Sequence, residues 1–185
     1  MATSEVGPPP LPEVTGPWAV RDLRPEGADL TLLHEWMNRE HVAAFWHQDW
    51  SRQRWIEELT TQAAGDHSRP VLLSHEGAPL AYLEVYRVIR DRLAACYPVR
   101  PHDLGVHVAI GELQATGRGL GRALLREVAL GLLRADPACD RVVAEPDISN
   151  APSVRAFEAA GFHNHGRITL SDKTAALLIH PRAAG

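Results

Sequence analysis

Cysteine is scarce in this chain: Cys96 and Cys139 stand alone, without the clustered spacing of a zinc site or a disulfide framework. Both are expected to be reduced thiols, although two cysteines still leave one bridge open. No basic run is present and the formal net charge is −4, so no nucleic-acid partner is expected, since phosphate binding wants a basic face. His34, His41 and His47, interleaved with tryptophans, lack zinc spacing and no nearby cysteine completes a set, so no metal is expected. No apolar run approaches the ~18 residues of a membrane span. Residues 1–17 hold neither a basic residue nor an apolar stretch of the secretory kind. A cytoplasmic protein without a membrane partner is the expectation, and no internal repeat is visible.

What is present reads as one globular unit. At 185 residues, 45% hydrophobic and 23% charged, the chain can bury a single sizeable core. Five prolines between Pro8 and Pro17 mark residues 1–17 as a disordered or extended tail, leaving 18–185 as the folded domain. Residues 18–23 read as a strand. Asp29 can cap a helix bearing Leu30, Leu33 and Met37, and Ser51 opens a second helix that ends near Gly65. Residues 70–75 and 80–88 read as a hairpin turning at Glu76 and Gly77. The stretch 89–102, with Pro98 and Pro101, reads as a loop. A strand over 104–110 and a helix over 120–134 follow, the helix with Leu120, Leu124, Val128 and Leu132 on one face. Then come a strand at 141–145, a helix at 151–160, and strands near 163–170 and 174–180. The expected fold class is α/β of the mixed α+β kind, with a central mixed, mostly antiparallel sheet flanked by helices.

The most informative segment is Gln114-Ala-Thr-Gly-Arg-Gly-Leu-Gly121, between the strand at 104–110 and the helix from Leu120. Glycines at 117, 119 and 121 leave backbone N–H groups unshielded at a helix N-terminus, where partial positive charge can hold a phosphate or pyrophosphate. A dinucleotide fingerprint would place its third glycine at Arg122, and no Gly-Lys-Ser/Thr of a P-loop follows. The plain alternative is a tight packing turn.

Three further features can carry chemistry. On strand 104–110, Gly105, His107 and Ala109 share a face, so the imidazole has small neighbours that leave room for a ligand; a structural histidine is the alternative. Asp147, in Glu145-Pro-Asp147-Ile-Ser-Asn150, leaves a strand end, where sites of α/β sheets gather. Its plain reading is a turn residue, with Glu145 as a competing carboxylate. Trp36, Trp46, Trp50 and Trp55 lie within twenty residues; core packing explains some, while Trp46 and Trp50 fall at an interhelical turn that can wall a substrate.

The glycine octet, followed by Asn150-Ala-Pro-Ser-Val-Arg-Ala-Phe157-Glu-Ala-Ala-Gly161-Phe162, resembles the GNAT superfamily of acyl-CoA N-acyltransferases. Trp36-Met-Asn-Arg-Glu-His41-Val-Ala-Ala-Phe-Trp46, Tyr82-Leu-Glu-Val-Tyr86, the strand around His107, and Glu145-Pro-Asp147 are similar to one branch, the siderophore-biosynthesis acyltransferases. The resemblance runs from about Trp36 to the C-terminus. It implies acyl-CoA, as acetyl-CoA or succinyl-CoA, as co-substrate, and a small hydroxylated diamine or lysine-type amine as acceptor, N-hydroxycadaverine first. A homodimer is allowed. It implies Asp147 as proton acceptor and His107 as holder of the incoming nitrogen. Gln114, Gly117, Arg118, Gly119, Leu120, Gly121 and Arg122 would wrap the pyrophosphate. Asn150, Ser153 and Phe157 would border the pantetheine arm. Backbone N–H groups near Ala109 and Ile110 would meet the oxyanion if the strand bulges. His41, Trp46, Trp50, Glu84 and Tyr86 would complete the substrate wall with His107. Phe157 stands where many members have a tyrosine general acid, so the thiolate must leave unassisted. The rivals are an aminoglycoside 6′-N-acetyltransferase, a protein N-terminal acetyltransferase and a non-catalytic acyl-CoA sensor.

Overall fold

The computed structural model describes residues 6–112 and 119–183. In chain order the elements are β1 (Trp18–Asp22), α1 (Gly27–Met37), α2 (Glu40–Trp46), α3 (Arg52–Ala64), β2 (Ser68–His75) and β3 (Ala78–Arg87). Two 3-10 turns follow (Val88–Arg90 and Arg92–Ala95), then β4 (Leu104–Ile110), α4 (Leu120–Ala135), β5 (Arg141–Ala144), α5 (Ala151–Ala159), β6 (His163–Thr169) and β7 (Thr174–Pro181). The strands make one sheet in the order β1-β2-β3-β4-β5-β7-β6. Only β4 and β5 run parallel. This is the mixed, mostly antiparallel sheet with flanking helices that the sequence pattern predicts.

Local chemistry accounts for the punctuation. Glu76 and Gly77 both take positive φ (50° and 82°), as a two-residue turn with the twist of its strands requires. Ser51 caps α3 by accepting the Arg54 N–H at 3.3 Å. Leu124, Val128 and Leu132 of α4 are fully buried against Leu83, Val85, Val106 and Val142. At about 1.5–3 kcal/mol for each such side chain, this stripe fixes α4 to its face of the sheet. On the other face α1 and α3 bury Trp36, Met37, Trp55 and Leu59 against Leu72 and Tyr82. Strand alternation therefore sends Leu83 and Val85 to α4, and Tyr82, Glu84 and Tyr86 to the opposite face.

Two expectations change and a third narrows. Asp29 lies inside the first turn of α1, where it accepts two bonds from Arg21 (2.6 and 2.7 Å) and the Arg24 N–H (3.0 Å). The turn after α1 contains a further helix, α2, capped at its C-terminus by His47 in the left-handed region (φ 52°). Of the two readings of the tail, disordered or extended, residues 6–17 leave the second, and they are tied to the body. Its five prolines between Pro8 and Pro17 lack an N–H, and the donors that remain bond the body, Glu13 to the Gly131 carbonyl (3.0 Å) and Thr15 to Glu127 (2.8 Å). Arginines of the body take its carbonyls: Arg87 bonds Gly7 (3.0 Å) and Pro8 (3.3 Å), Arg69 bonds Pro9 (3.2 Å), and Arg134 bonds Glu13 (2.9 Å).

The sheet opens beside β4. Pairing with β5 is confined to Leu104↔Val142 and Gly105↔Val143. Past Ala144 the chain turns toward β7, with Ala176 donating to Pro146 and Ile148 to Thr174, both at 3.0 Å. Meanwhile β4 stays on β3 as far as Ile110. A wedge is left between the parting strands, and the candidate site occupies it.

Candidate active site

His107 lies directly opposite Glu84 in the β3–β4 register. Its Nδ1 is 3.0 Å from Glu84 Oε2, and its Nε2 makes a very short contact with Glu145 Oε1. Ionised carboxylates only accept, so both ring nitrogens must donate and the ring is an imidazolium. Burial pulls its pKa down, but the Glu145 and Glu84 carboxylates outweigh burial and raise it to about 10. Burial likewise works to raise Glu145, yet His107 and Lys173 hold that carboxyl down to about 2. The Tyr86 hydroxyl donates to Glu145 Oε2 (2.7 Å), while the Tyr82 hydroxyl and the Gln62 amide donate to Glu84 Oε1 (2.9 and 3.3 Å). Both tyrosines are pushed well above their ordinary pKa, first by burial and then by the adjacent carboxylates, so they remain donors.

Sequence spacing gave Gly105 and Ala109 the task of leaving room for a ligand; at Gly105 the structure fills that room, while Ala109 borders a neighbouring cavity. A Cβ on Gly105 would sit 2.1 Å from the Tyr86 ring, and Ala109 is buried in the tryptophan-lined core. The open side of His107, a third of its side chain, faces a cleft of about 400 Å³. Trp46, Trp50, Glu84, Glu145, Asp147 and Lys173 help to line it. Trp46 meets the His107 ring edge-on at 6.1 Å, and Trp50 packs on Trp55 at 4.9 Å.

Asp147 reaches this cleft from the segment after β5, with its carboxylate engaged. Oδ1 accepts the Ser149 N–H (2.8 Å) and hydroxyl (2.7 Å), and these bonds lower its pKa. Ser149 is thus a partner of Asp147 and not the cap of α5. Asn150 alone is that cap, accepting the Ser153 N–H at 3.2 Å.

A second cavity, about 460 Å³, adjoins the first and shares Phe45, Trp46, Val108, Asn150, Ser153 and Phe157 with it. Val42, Ile110 and Leu125 make much of it apolar, and Gly119, Gly121 and Arg122 close one end. His41 belongs to this cavity, not to the His107 cleft, and bonds the Ile110 carbonyl at 3.0 Å. Gly119 takes φ +76° at the N-cap of α4 and offers no capping side chain, so the first-turn N–H groups of Leu120, Gly121 and Arg122 are not capped by it. That end suits a phosphate, and the apolar stretch suits a pantetheine arm. Gln114, Gly117 and Arg118 lie outside the described residues.

The expected bulge of β4 is not there: its register on β3 is unbroken from Ala81↔Ile110 to Arg87↔Leu104. The opening comes instead from β5 departing on the other edge. The Gly111 N–H donates to Leu80 on β3 (3.0 Å), so by alternation the Ala109 N–H also points to β3. The Val108 and Ile110 N–H groups point into the wedge, and Ala109 drops out as an oxyanion donor.

The acetyltransferase (GNAT) domain family matches residues 26–170, which include every strand from β2 to β6 and the lining of both cavities apart from Asp172 and Lys173. The chain belongs to that family. Among relatives, the lysine N-acyltransferase MbtK of Mycobacterium sp. (strain MCS) is 38% identical over 174 residues, covering 94% of this chain and 71% of its own. The N-hydroxyputrescine acetyltransferase of Acinetobacter baumannii is 31% identical, covering 80% of this chain and 71% of its own. A crystal structure of an aminoglycoside acetyltransferase in complex with coenzyme A and kanamycin superposes with a TM-score of 0.77 at 25% identity, covering 89% of this chain and 95% of that one. This GNAT chain is an acyl-CoA-dependent N-acyltransferase.

Proposed function

We propose that this acyltransferase acylates the hydroxylamine nitrogen of a hydroxylated diamine or lysine-type amine in hydroxamate siderophore assembly. N-hydroxycadaverine is the leading acceptor, and acetyl or succinyl the group transferred. The observation that carries the reading is the join between the two cavities. The cavity at the α4 N-terminus suits acyl-CoA. It meets the charged His107 cleft across Trp46, Val108 and Phe157, where an acyl group and an incoming nitrogen would face each other. The acyl-CoA thioester supplies the acyl group and a thiolate leaving group. Gly119, Leu120, Gly121 and Arg122 would hold the phosphates, and Asn150, Ser153 and Phe157 would border the arm.

The cleft's fixed charges favour a substrate with one positive charge. Glu84, Glu145, Asp147 and Asp172 face His107, Arg92 and Lys173, four carboxylates against three cations. A hydroxylated diamine carries one ammonium, because its hydroxylamine is largely neutral near pH 7. A polycationic aminoglycoside would want more acid and less tryptophan. Since His107 is already protonated, it cannot be the base near neutrality. We assign it to holding Glu145 and Glu84 ionised, with Glu145 positioning the nitrogen. Asp147 accepts the proton late, a task a low-pKa carboxylate can perform because the nitrogen becomes strongly acidic once it is acylated. The Val108 and Ile110 N–H groups are the oxyanion donors.

The test is CoA release from acetyl-CoA and succinyl-CoA with N-hydroxycadaverine, N6-hydroxylysine, cadaverine, lysine and kanamycin. Hydroxylated acceptors should give the highest kcat/KM. A higher kcat/KM for kanamycin would replace this reading with the aminoglycoside one.

A further inference from the structure

The chain holds one lysine against eighteen arginines. Its other ion pairs to carboxylates use arginine or histidine: Arg21 with Asp29, Arg39 with Glu35, Arg69 with Asp22, Arg87 with Asp136. The single lysine, Lys173, lies in the turn between β6 and β7 and lines the His107 cleft. Its surroundings are built to hold it there. Leu170 donates to the Lys173 carbonyl at 2.9 Å, and Arg92 bonds Ser171 (2.9 Å) and Asp172 (2.8 Å). The turn is thereby fixed to the 3-10 turn across the cleft. Ile148 donates to Thr174, fixing it to the segment that carries Asp147.

Within this frame the Lys173 side chain is only 22% exposed, yet its ammonium has no hydrogen bond among the described residues. Its nearest carboxylate oxygen is Glu145 Oε1, at 3.9 Å, and that atom already takes the His107 Nε2–H. The ammonium itself is still reached by solvent from the cleft, and its three donors are unused among the described residues, so they are available to a ligand acceptor. Arg92 is committed to Asp172, so among the described residues that line the cleft Lys173 is the cation without a hydrogen-bonded carboxylate. Glu145, behind it, already accepts from His107 on one oxygen and from Tyr86 on the other.

We propose that Lys173 is a carboxylate-binding subsite at the outer end of the His107 cleft, recognising the free carboxylate of one of the two reactants. This rests on the acylation reading above. The carboxylate has two chemical sources, the distal end of a dicarboxylic acyl group such as succinyl, or the α-carboxylate of a lysine-type acceptor. Either would place its charge against the Lys173 ammonium while the reacting atoms lie beside His107.

The experiment crosses acetyl-CoA and succinyl-CoA with N-hydroxycadaverine and N6-hydroxylysine, in the wild type and in Lys173→Gln and Lys173→Arg. Lys173→Gln should lower kcat/KM for the carboxylate-bearing reactant by about 10- to 100-fold relative to the acetyl-CoA and N-hydroxycadaverine pair, the range for losing a hydrogen bond to a charged group. Lys173→Arg should keep most of the preference. If the loss follows succinyl-CoA the acyl group is the source; if it follows N6-hydroxylysine the acceptor is. An equal loss across all four pairs would mean Lys173 merely supports Glu145, and no loss would mean it is idle; either result overturns the subsite. If none of the pairs turns over, the acylation reading fails by itself. The subsite is then judged on the lysine directly. After reductive methylation with ¹³C-formaldehyde, succinyl-CoA or N6-hydroxylysine should shift the Lys173 methyl signal, and silence toward both would overturn it.

Discussion

Replacing Glu145 with glutamine removes one negative charge from beside His107 and keeps the side chain's shape and its ability to accept from Tyr86. In the native protein the His107 pKa rises from 6.5 to about 10 against the pull of burial, with Glu145 contributing more than Glu84. That rise is worth roughly 5 kcal/mol at 1.36 kcal/mol per pH unit. A third of the His107 side chain faces the cleft, so solvent screening leaves about half of it, some 2–3 kcal/mol, as stability. A group whose folded pKa is raised contributes fully below its unfolded value, so this stability is present below pH 6.5 and is lost as pH climbs toward 10. Glu145, depressed from 4.5 to about 2, reports the same interaction from the acid side, where it is lost as pH falls from 4.5 toward 2. The two must not be added. In Glu145→Gln the His107 pKa should drop by about 1–3 pH units, the usual effect of one adjacent opposite charge. The variant should also lose less stability than the wild type between pH 6.5 and 10. Imidazole NMR titration and urea unfolding at several pH values measure both. A wild-type His107 titrating near 6.5, or a variant titrating where the wild type does, would refute the clamp.

Three other outcomes are expected. Asp147→Asn should keep CoA binding but lower kcat by the ~10²–10⁴-fold typical of a lost general base, measured by CoA release; near-normal kcat would leave Asp147 as the turn partner of Ser149 and nothing more. Gly119→Val should weaken acyl-CoA binding in calorimetry while the protein stays folded, since φ +76° is left-handed backbone that a β-branched residue resists. Gly105→Ala should cost about 1–3 kcal/mol in urea unfolding, because its Cβ would fall 2.1 Å from the Tyr86 ring; Gly105→Ala with Tyr86→Phe should be no better, as the ring and not the hydroxyl is in the way.

The parts legible in the sequence were those written in adjacent residues. The hairpin at Glu76–Gly77, the Ser51 cap and the apolar stripe of α4 are local signals, and all appear where the pattern puts them. The region of His107 and Asp147 was legible for the same reason, since a strand and a strand end carry them. Their partners were not. The Glu84–His107–Glu145 clamp needs three strand segments to be neighbours at one register, and Glu145 read only as a competitor of Asp147. The glycine beside His107 was assigned to a ligand because Tyr86, nineteen positions earlier, gave no sign of folding over it. Helix α2 escaped detection because seven residues hold too few turns for a period, and its first residue follows an Arg39 that makes no side-chain cap. The prolines left the tail disordered or extended, and its anchoring was not legible because Arg69, Arg87 and Arg134, which secure it, lie far off in sequence.

The buried charges at His107 also bear on selectivity. A partly buried imidazolium between two carboxylates returns in stability only what desolvation leaves of the pairing. It is a good device for fixing the charge of a cleft. With the His107 pKa raised to about 10, the cleft presents the same balance of charge through the neutral range, in which a hydroxylamine loses its proton and a plain amine does not. Under the proposed reaction the discrimination then falls to the substrate. A plain diamine arrives as a dication, mismatched to the cleft and with its reacting nitrogen protonated. A hydroxylated diamine arrives as a monocation with its nitrogen lone pair free. The same chemical property, the low basicity of the hydroxylamine, satisfies the electrostatic fit and supplies the nucleophile. The enzyme therefore needs no strong base, and a carboxylate as weakly basic as Asp147 is enough to take the proton after the new bond has begun to form.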